Sequence, residues 1–324
     1  MKIVLFLTLA SIGSVFTAEC NISTLTSIDA ITVDLKGRSE KLQNSDFFMM
    51  DSYKVIFLTR ASVPLLCEGM VKFFSHLEEL YIIAANVSEI EQLAFQDVPK
   101  LTKLSLAVNK LRVVRSKYFN QIKSLEVLYL SSNELEQVDE DAFDGMSNLT
   151  RIYFNRNNLR FISGNWFKDC PSLKVVDLSH NKISTVPAKA FLNIVPGQDH
   201  HAVQYRLRFN EIESISPEAL EKDKDFLDLM LDNNKLTELP VAVFKNLQVN
   251  SLVLSSNRIA CLDMEVLEGL RGSFMSLHLE RNPLACDCVD KFEEFANNTE
   301  IQISFYYSTT FNCKLLKQMP VLSN

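Results

Sequence analysis

The sequence predicts an α/β solenoid: short parallel strands stacked into a concave sheet, closed by a cap at each end. Three observations carry this. An apolar template returns at a near-constant interval through most of the 324 residues. One turn residue, asparagine, returns with it. Cysteines gather beyond the last copy, where an open stack exposes its core and needs a cover. The composition suits such a chain, with 47% hydrophobic and 23% charged residues. Glycine (8) and proline (9) are too scarce for a collagen-like or disordered chain. A net charge of −7 and a pI near 5.4 argue against nucleic acid, which demands a strong basic footprint.

The clearest copy starts at Leu101, where Leu101, Leu104, Leu106, Asn109 and Leu111 fit L-x-x-L-x-L-x-x-N-x-L. The template returns 24 residues on, in turn, at Leu125, Leu149 and Leu173, with Asn133, Asn157 and Asn181. It returns again at Ala202, Phe226, Val249 and Phe274, with Asn210, Asn234, Asn257 and Asn282. Backwards it fits Leu77 and Tyr53, where Ala85 and Ala61 replace the asparagine. L-x-x-L-x-L spells a short strand with alternate side chains turned inward, and strands of this kind stack about 4.8 Å apart. Each asparagine sits where the chain leaves its strand, so its amide can satisfy backbone groups that burial would orphan. Phe95, Phe119, Phe143, Phe167, Phe191 and Phe244 fill the core from the convex side.

This pattern resembles the extracellular, typical subfamily of leucine-rich repeats, which carry a 24-residue unit with Phe near position 19. The resemblance covers about residues 53–285 and implies a leucine-rich-repeat horseshoe. The repeat from Leu173 departs from it, running 29 residues to the next start at Ala202. The extra chain lies near 195–201, around Pro196, Asp199, His200 and His201. The next repeat places Leu220 and Asp223 where Phe and an apolar residue belong. A protruding loop with an irregularity behind it is expected.

Met1-Lys2, an apolar run over residues 3–16, and the small pair Thr17-Ala18 have the layout of a secretory signal peptide. Cleavage is expected after Ala18, with Thr17 as the alternative. The run is short for crossing about 30 Å of hydrocarbon, and neither a membrane span nor a lipid anchor is expected. The plan is therefore a leader at 1–18, an N-terminal cap at 19–52, repeats at 53–285, and a C-terminal cap at 286–324. Secretion permits disulfides and makes the sequons at Asn21, Asn86, Asn148 and Asn297 candidate glycan sites.

There are seven cysteines, an odd number, so at least one is unpaired within the chain. Asn282-Pro283-Leu284-Ala285-Cys286-Asp287-Cys288 with Cys313 resembles the cysteine-rich C-terminal cap of extracellular repeat proteins, N-P-x-x-C-x-C, less its fourth cysteine. Cys261 and Cys286 both fall at position 13 of successive repeats, about one strand spacing apart, so Cys261–Cys286 and Cys288–Cys313 are expected. The rival is Cys286–Cys313 with Cys288 free. Cys20 is expected to close onto Cys67. Cys170 falls in an inward apolar slot and reads as a buried free thiol.

No nucleophile elbow, metalloprotease or phosphate-loop motif occurs, so no enzyme, cofactor or metal site is assigned. Asp199-His200-His201 reads as a solvated loop rather than a metal site. The informative residues are the x positions facing out of the concave sheet. The N-terminal half offers Phe57, Tyr81, Ile83, Tyr129 and Tyr153; the middle offers Arg151, Arg156, Arg206 and Arg208, flanked by Asp177, Asp228 and Asp232. Exposed aromatic patches mark protein contacts. The competing explanations are β-propensity for the aromatics and lateral pairing of Arg206 with Asp177 or Asp228.

The overall plan is similar to the secreted leucine-rich immune proteins of insects, in a form without their C-terminal coiled coil. That resemblance implies a secreted, non-enzymatic recognition protein of innate immunity. Its partners would be extracellular proteins or microbial surfaces met on the concave face, and dimerisation has no coiled coil to support it. The alternatives are a receptor-like or matrix module for a growth factor or adhesion partner, and an inhibitor or metal-dependent activity at the His200-His201 loop.

Overall fold

The computed structural model describes residues 4–8, 32–35, 38–41, 54–59, 62–72, 74–191, 203–220, 227–244, 249–270, 276–305 and 313, with side chains from 54 onward. The expected loop near Pro196, the residues Cys20, Asn21 and Asp223, and the cleavage point after Ala18 lie outside them. The chain forms two compact units, residues 1–159 with 165–173, and residues 160–164 with 174–324.

In the first unit the repeat strands Val55–Thr59, Glu79–Ile83, Lys103–Ser105, Val127–Tyr129 and Arg151–Tyr153 pair in parallel, each shifted by one repeat. Thr32–Leu35 and Arg38–Lys41 form an antiparallel pair. Val4–Thr8, within the stretch read as leader, pairs in parallel with Val55–Thr59. In the second unit Val175–Asp177, Val203–Arg206, Leu227–Met230, Val249–Val253, Ser276–His278 and Gln302–Ser304 do the same. Each unit is a leucine-rich-repeat solenoid. Further along the second unit the register shifts: Leu227 faces Val249 but Asp228 faces Ser251, leaving Asn250 as an extra residue.

The core follows from the template. Leu80, Leu104, Leu128 and Ile152 are fully or almost fully buried, as are Phe95, Phe119, Phe143 and Phe167. Those phenylalanines stack repeat on repeat, with centroids 6.0, 6.3 and 6.0 Å apart. In the second unit Leu220 takes the phenylalanine position of its repeat, and Tyr205 takes a leucine position. Tyr205 is fully buried and stacks on Phe191 at 4.0 Å, so the volume lost at one core position is recovered at another.

The asparagines form a ladder. Asn133 donates from Nδ2 to Leu106 O at 2.9 Å in the preceding repeat and to its own Leu130 O at 3.1 Å, while its Oδ1 accepts from Leu111 N at 3.1 Å. Asn109, Asn157, Asn210, Asn234, Asn257 and Asn282 repeat this pattern. Where Ala85 replaces asparagine, its backbone carbonyl accepts from Val63 N at 2.8 Å, the role that Asn109 Oδ1 plays for Val87 N. The turn needs a feature that the template does not spell. The residue before each turn asparagine, and Ala84 before Ala85, is left-handed: Ala84, Val108, Ser132, Arg156, His180, Phe209, Asn233, Ser256 and Arg281 have φ between 53° and 61°.

The C-terminal cap corrects the expected cysteine pairing. The disulfides are Cys261–Cys288 and Cys286–Cys313, not Cys261–Cys286 and Cys288–Cys313. Their Cα atoms lie 5.6 and 5.2 Å apart. Equal register of Cys261 and Cys286 requires the chain to repeat once more after Asn282. Instead Cys286 opens the helix Cys286–Asn297, and two residues along a helix turn the side chain by about 200°. Cys288 therefore points inward with Val289, Phe292 and Phe295, all buried, and reaches back to Cys261, while Cys286 faces Cys313. Cys67 is disulfide-bonded. Cys170 is a free buried thiol; it donates to Phe143 O at 3.5 Å, and burial pushes its pKa up to about 12. The sequon residues Asn86, Asn148 and Asn297 are exposed. No helix among the described residues is long and apolar enough to cross a membrane.

Candidate binding surface

On the open face of the first unit, position 5 of successive strands carries Phe57, Tyr81, Ser105, Tyr129 and Tyr153 in register. Parallel strands lie about 4.8 Å apart, close to a ring-stacking distance. Register thus turns a 24-residue spacing into stacks. Phe57 lies on Tyr81 with centroids 4.4 Å apart and planes 5° apart. Tyr129 lies on Tyr153 at 4.7 Å and 8°. Ser105 separates the two pairs and is only 3% exposed, as is Val127, another outward residue. Ile83, Tyr81, Tyr129 and Tyr153 are half-buried.

The polar groups on this face are organised around the rings. The Tyr81 hydroxyl donates to Glu79 Oε2 at 2.7 Å, and Lys103 Nζ donates to Glu79 Oε1 at 3.1 Å. Burial, then the Glu79 carboxylate, pushes the Tyr81 phenol above its ordinary range. Ser131 Oγ donates to Asn155 Oδ1 at 2.6 Å. Arg151 and Arg156 are exposed, and neither has an ion-pair partner among the described residues.

The second unit's open face is charged and self-paired. Arg206 lies 3.7 Å from Asp177 and donates to Gln204 Oε1 at 2.6 Å; Gln204 Nε2 donates to Asp228 Oδ2 at 3.3 Å. Arg208 lies 3.2 Å from Asp232. Burial pushes the Asp228 carboxyl up, opposed by the Gln204 bond and Arg206. The lateral-pairing explanation therefore describes Arg206, and Gln204 is its intermediary toward Asp228. Further along, Ser304 Oγ donates to Glu280 Oε1 at 2.7 Å and lies 2.9 Å from His278 Nδ1, while Ser255 donates to Glu280 Oε2 at 2.5 Å. Burial raises the Glu280 carboxyl, but these hydroxyl bonds outweigh it and the net shift is downward. These contacts tie together the ends of three neighbouring coils, through Ser255, Glu280 and Ser304.

The left-handed position adds a feature that the strand template hides. His180 and Phe209, each preceding a turn asparagine, stack at 4.3 Å and 7°, and Phe209 is 43% exposed. The signal was present in the sequence as aromatic residues immediately before Asn181 and Asn210.

The model for the family described as Leucine rich repeat matches residues 75–135, 99–159 and 147–195. No curated protein matches the chain. Among solved structures, the TLR13–ssRNA13 complex is similar, at 22% identity and a TM-score of 0.64, over 71% of this chain and 33% of the TLR13 chain. The leucine-rich repeat domain of APL1B is similar at 21% identity and a TM-score of 0.58, over 74% of this chain and 67% of that one. This chain thus spans a third of the TLR13 chain. At these identities the likeness establishes the fold alone, a leucine-rich-repeat solenoid.

Proposed function

We propose that this chain is a secreted, non-enzymatic recognition protein of innate immunity that binds extracellular protein or microbial-surface partners on the open face of its repeat sheet. The observation that carries the reading is the pair of aromatic stacks, Phe57 on Tyr81 and Tyr129 on Tyr153, held half-exposed on a rigid sheet. Tyrosine on a rigid scaffold offers a large amphipathic contact area with little side-chain entropy to lose, which is why such residues dominate binding hot spots. The disulfides of the C-terminal cap support an oxidising compartment, as does the leader-like N-terminus. The immune assignment rests on the resemblance of architecture to secreted insect immune proteins. The test is capture from the native body fluid by wild type and by a Tyr81→Ala/Tyr129→Ala/Tyr153→Ala variant of unchanged circular dichroism. Partners held by wild type and lost by the variant support the reading; the same partners on both would remove the aromatic face as the site. Amino-terminal sequencing of protein from a secretory host, expected to begin after Ala18 or Thr17, tests the leader.

A further inference from the structure

We infer that the Tyr129–Tyr153 stack with Arg151 and Arg156 is a docking site for an acidic, extended segment of a partner protein. The inference rests on the binding reading above and names the chemistry of the partner. Its starting point is an imbalance. On the outward strand positions Lys103 is paired with Glu79, Arg206 with Asp177, and Arg208 with Asp232. Arg151 and Arg156 are exposed guanidiniums with no carboxylate opposite them among the described residues, in a chain of net charge −7. A protein with an acidic excess that leaves two cations on one face unneutralised has a local charge complementary to carboxylates.

Geometry gives the segment its form. Arg151 and Tyr153 are two residues apart on one strand, so they share its outward face. Arg156 follows in the left-handed turn, with φ at 61°. At about 3.3 Å per residue the two guanidinium-bearing backbones lie at most about 16 Å apart, with the Tyr153 ring and the Asn155 amide between them. An extended peptide with acidic residues four or five apart spans the same distance and lays an apolar or aromatic side chain on the ring pair. Arginine suits this role because its planar fork meets a carboxylate through two parallel bonds. The Tyr129 hydroxyl, which has no hydrogen-bond partner among the described residues, is a further donor. Single-stranded nucleic acid also combines stacking rings with cations, but it needs a run of cations along its phosphates. Two cations give a salt slope of only roughly −1.4, so the protein segment is favoured.

The test uses the full chain and a labelled random copolymer of glutamate and tyrosine, with an oligouridylate as the competing class, read by fluorescence anisotropy. The copolymer is expected to bind and to weaken as salt rises. Arg151→Glu/Arg156→Glu should weaken it at least tenfold, Arg151→Lys/Arg156→Lys less, and Tyr129→Ala/Tyr153→Ala at least fivefold. Arg206→Gln/Arg208→Gln, on the self-paired face, should leave it unchanged. Absence of copolymer binding, binding that survives Arg151→Glu/Arg156→Glu, or tighter binding of the oligouridylate would each overturn the inference. Body-fluid capture separates the two readings. Partners lost by the tyrosine triple variant but kept by Arg151→Glu/Arg156→Glu defeat the acidic-segment inference and leave the binding function standing. Partners kept by both defeat the function itself.

Discussion

The two units share one backbone solution and present different faces. Both carry the asparagine ladder, the left-handed turn and the parallel register. The first unit's face is ring against ring, and its Arg151 and Arg156 have no ion-pair partner among the described residues. The second unit's face is acid against base, with Asp177, Asp228 and Asp232 answered by Arg206, Gln204 and Arg208. A surface charge that is already answered gains little from a partner, because the partner must replace an existing contact before adding one. The difference teaches that the stack is specified by inward residues, which the units have in common, and that the outward residues are free to diverge.

The largest expected effect breaks one unit and leaves the other. Replacing Cys261 and Cys288 by serine removes a crosslink over 27 residues, which by chain entropy costs roughly 3.5 kcal/mol. Hydrogen exchange should show the loss in the second unit, with protection over residues 79–153 retained. Peptide mapping without reduction checks the pairing itself, and a Cys261–Cys286 peptide would restore the register argument. Next, Asn133→Ala and Asn234→Ala each orphan buried backbone groups in two repeats, at about 3 kcal/mol each. Denaturant midpoints should fall by similar amounts, because the ladder is common to both units; a large difference would break that half of the comparison.

Smaller effects sharpen the contrast between the faces. A double-mutant cycle on Tyr129 and Tyr153 should give a coupling of about 1 kcal/mol, insensitive to salt. The same cycle on Asp177 and Arg206 should give about 0.5 kcal/mol, fading with salt. The smallest effect is a pH dependence from Cys170. Its folded pKa of about 12 exceeds the ordinary 9.0, so above pH 9 the unfolded chain loses a proton that the folded chain keeps. Stability therefore falls as pH rises between those values, and Cys170→Ala should flatten that slope. Thiol reagents should label wild type only in denaturant.

The repeat was legible because its cause is local and periodic. Leu101 through Leu111 name a strand, a turn and the amide that closes it, and the copies at Leu125 and Leu149 confirm the interval. The candidate site was legible as a column of residues, Phe57 to Tyr153, since register follows from the repeat. Its partition into two stacks around a buried Ser105 was not, because burial of an outward serine depends on the rings beside it. The cysteine pairing was misread because a repeat template continues only until a helix replaces it, and nothing in the spacing of Cys286 and Cys288 sets the helix phase.

By itself, then, the sequence determined the repeat, the inward core, the ladder of asparagines and which residues face out, all of which follow from short-range periodicity. Only the tertiary structure decided which outward charges are answered, that Gln204 stands between Arg206 and Asp228, that Cys288 rather than Cys286 meets Cys261, and that Arg151 and Arg156 meet no carboxylate among the described residues. Those outcomes depend on side chains from different repeats meeting across a few ångströms, and a periodic pattern fixes which strands are neighbours without fixing where their side chains come to rest.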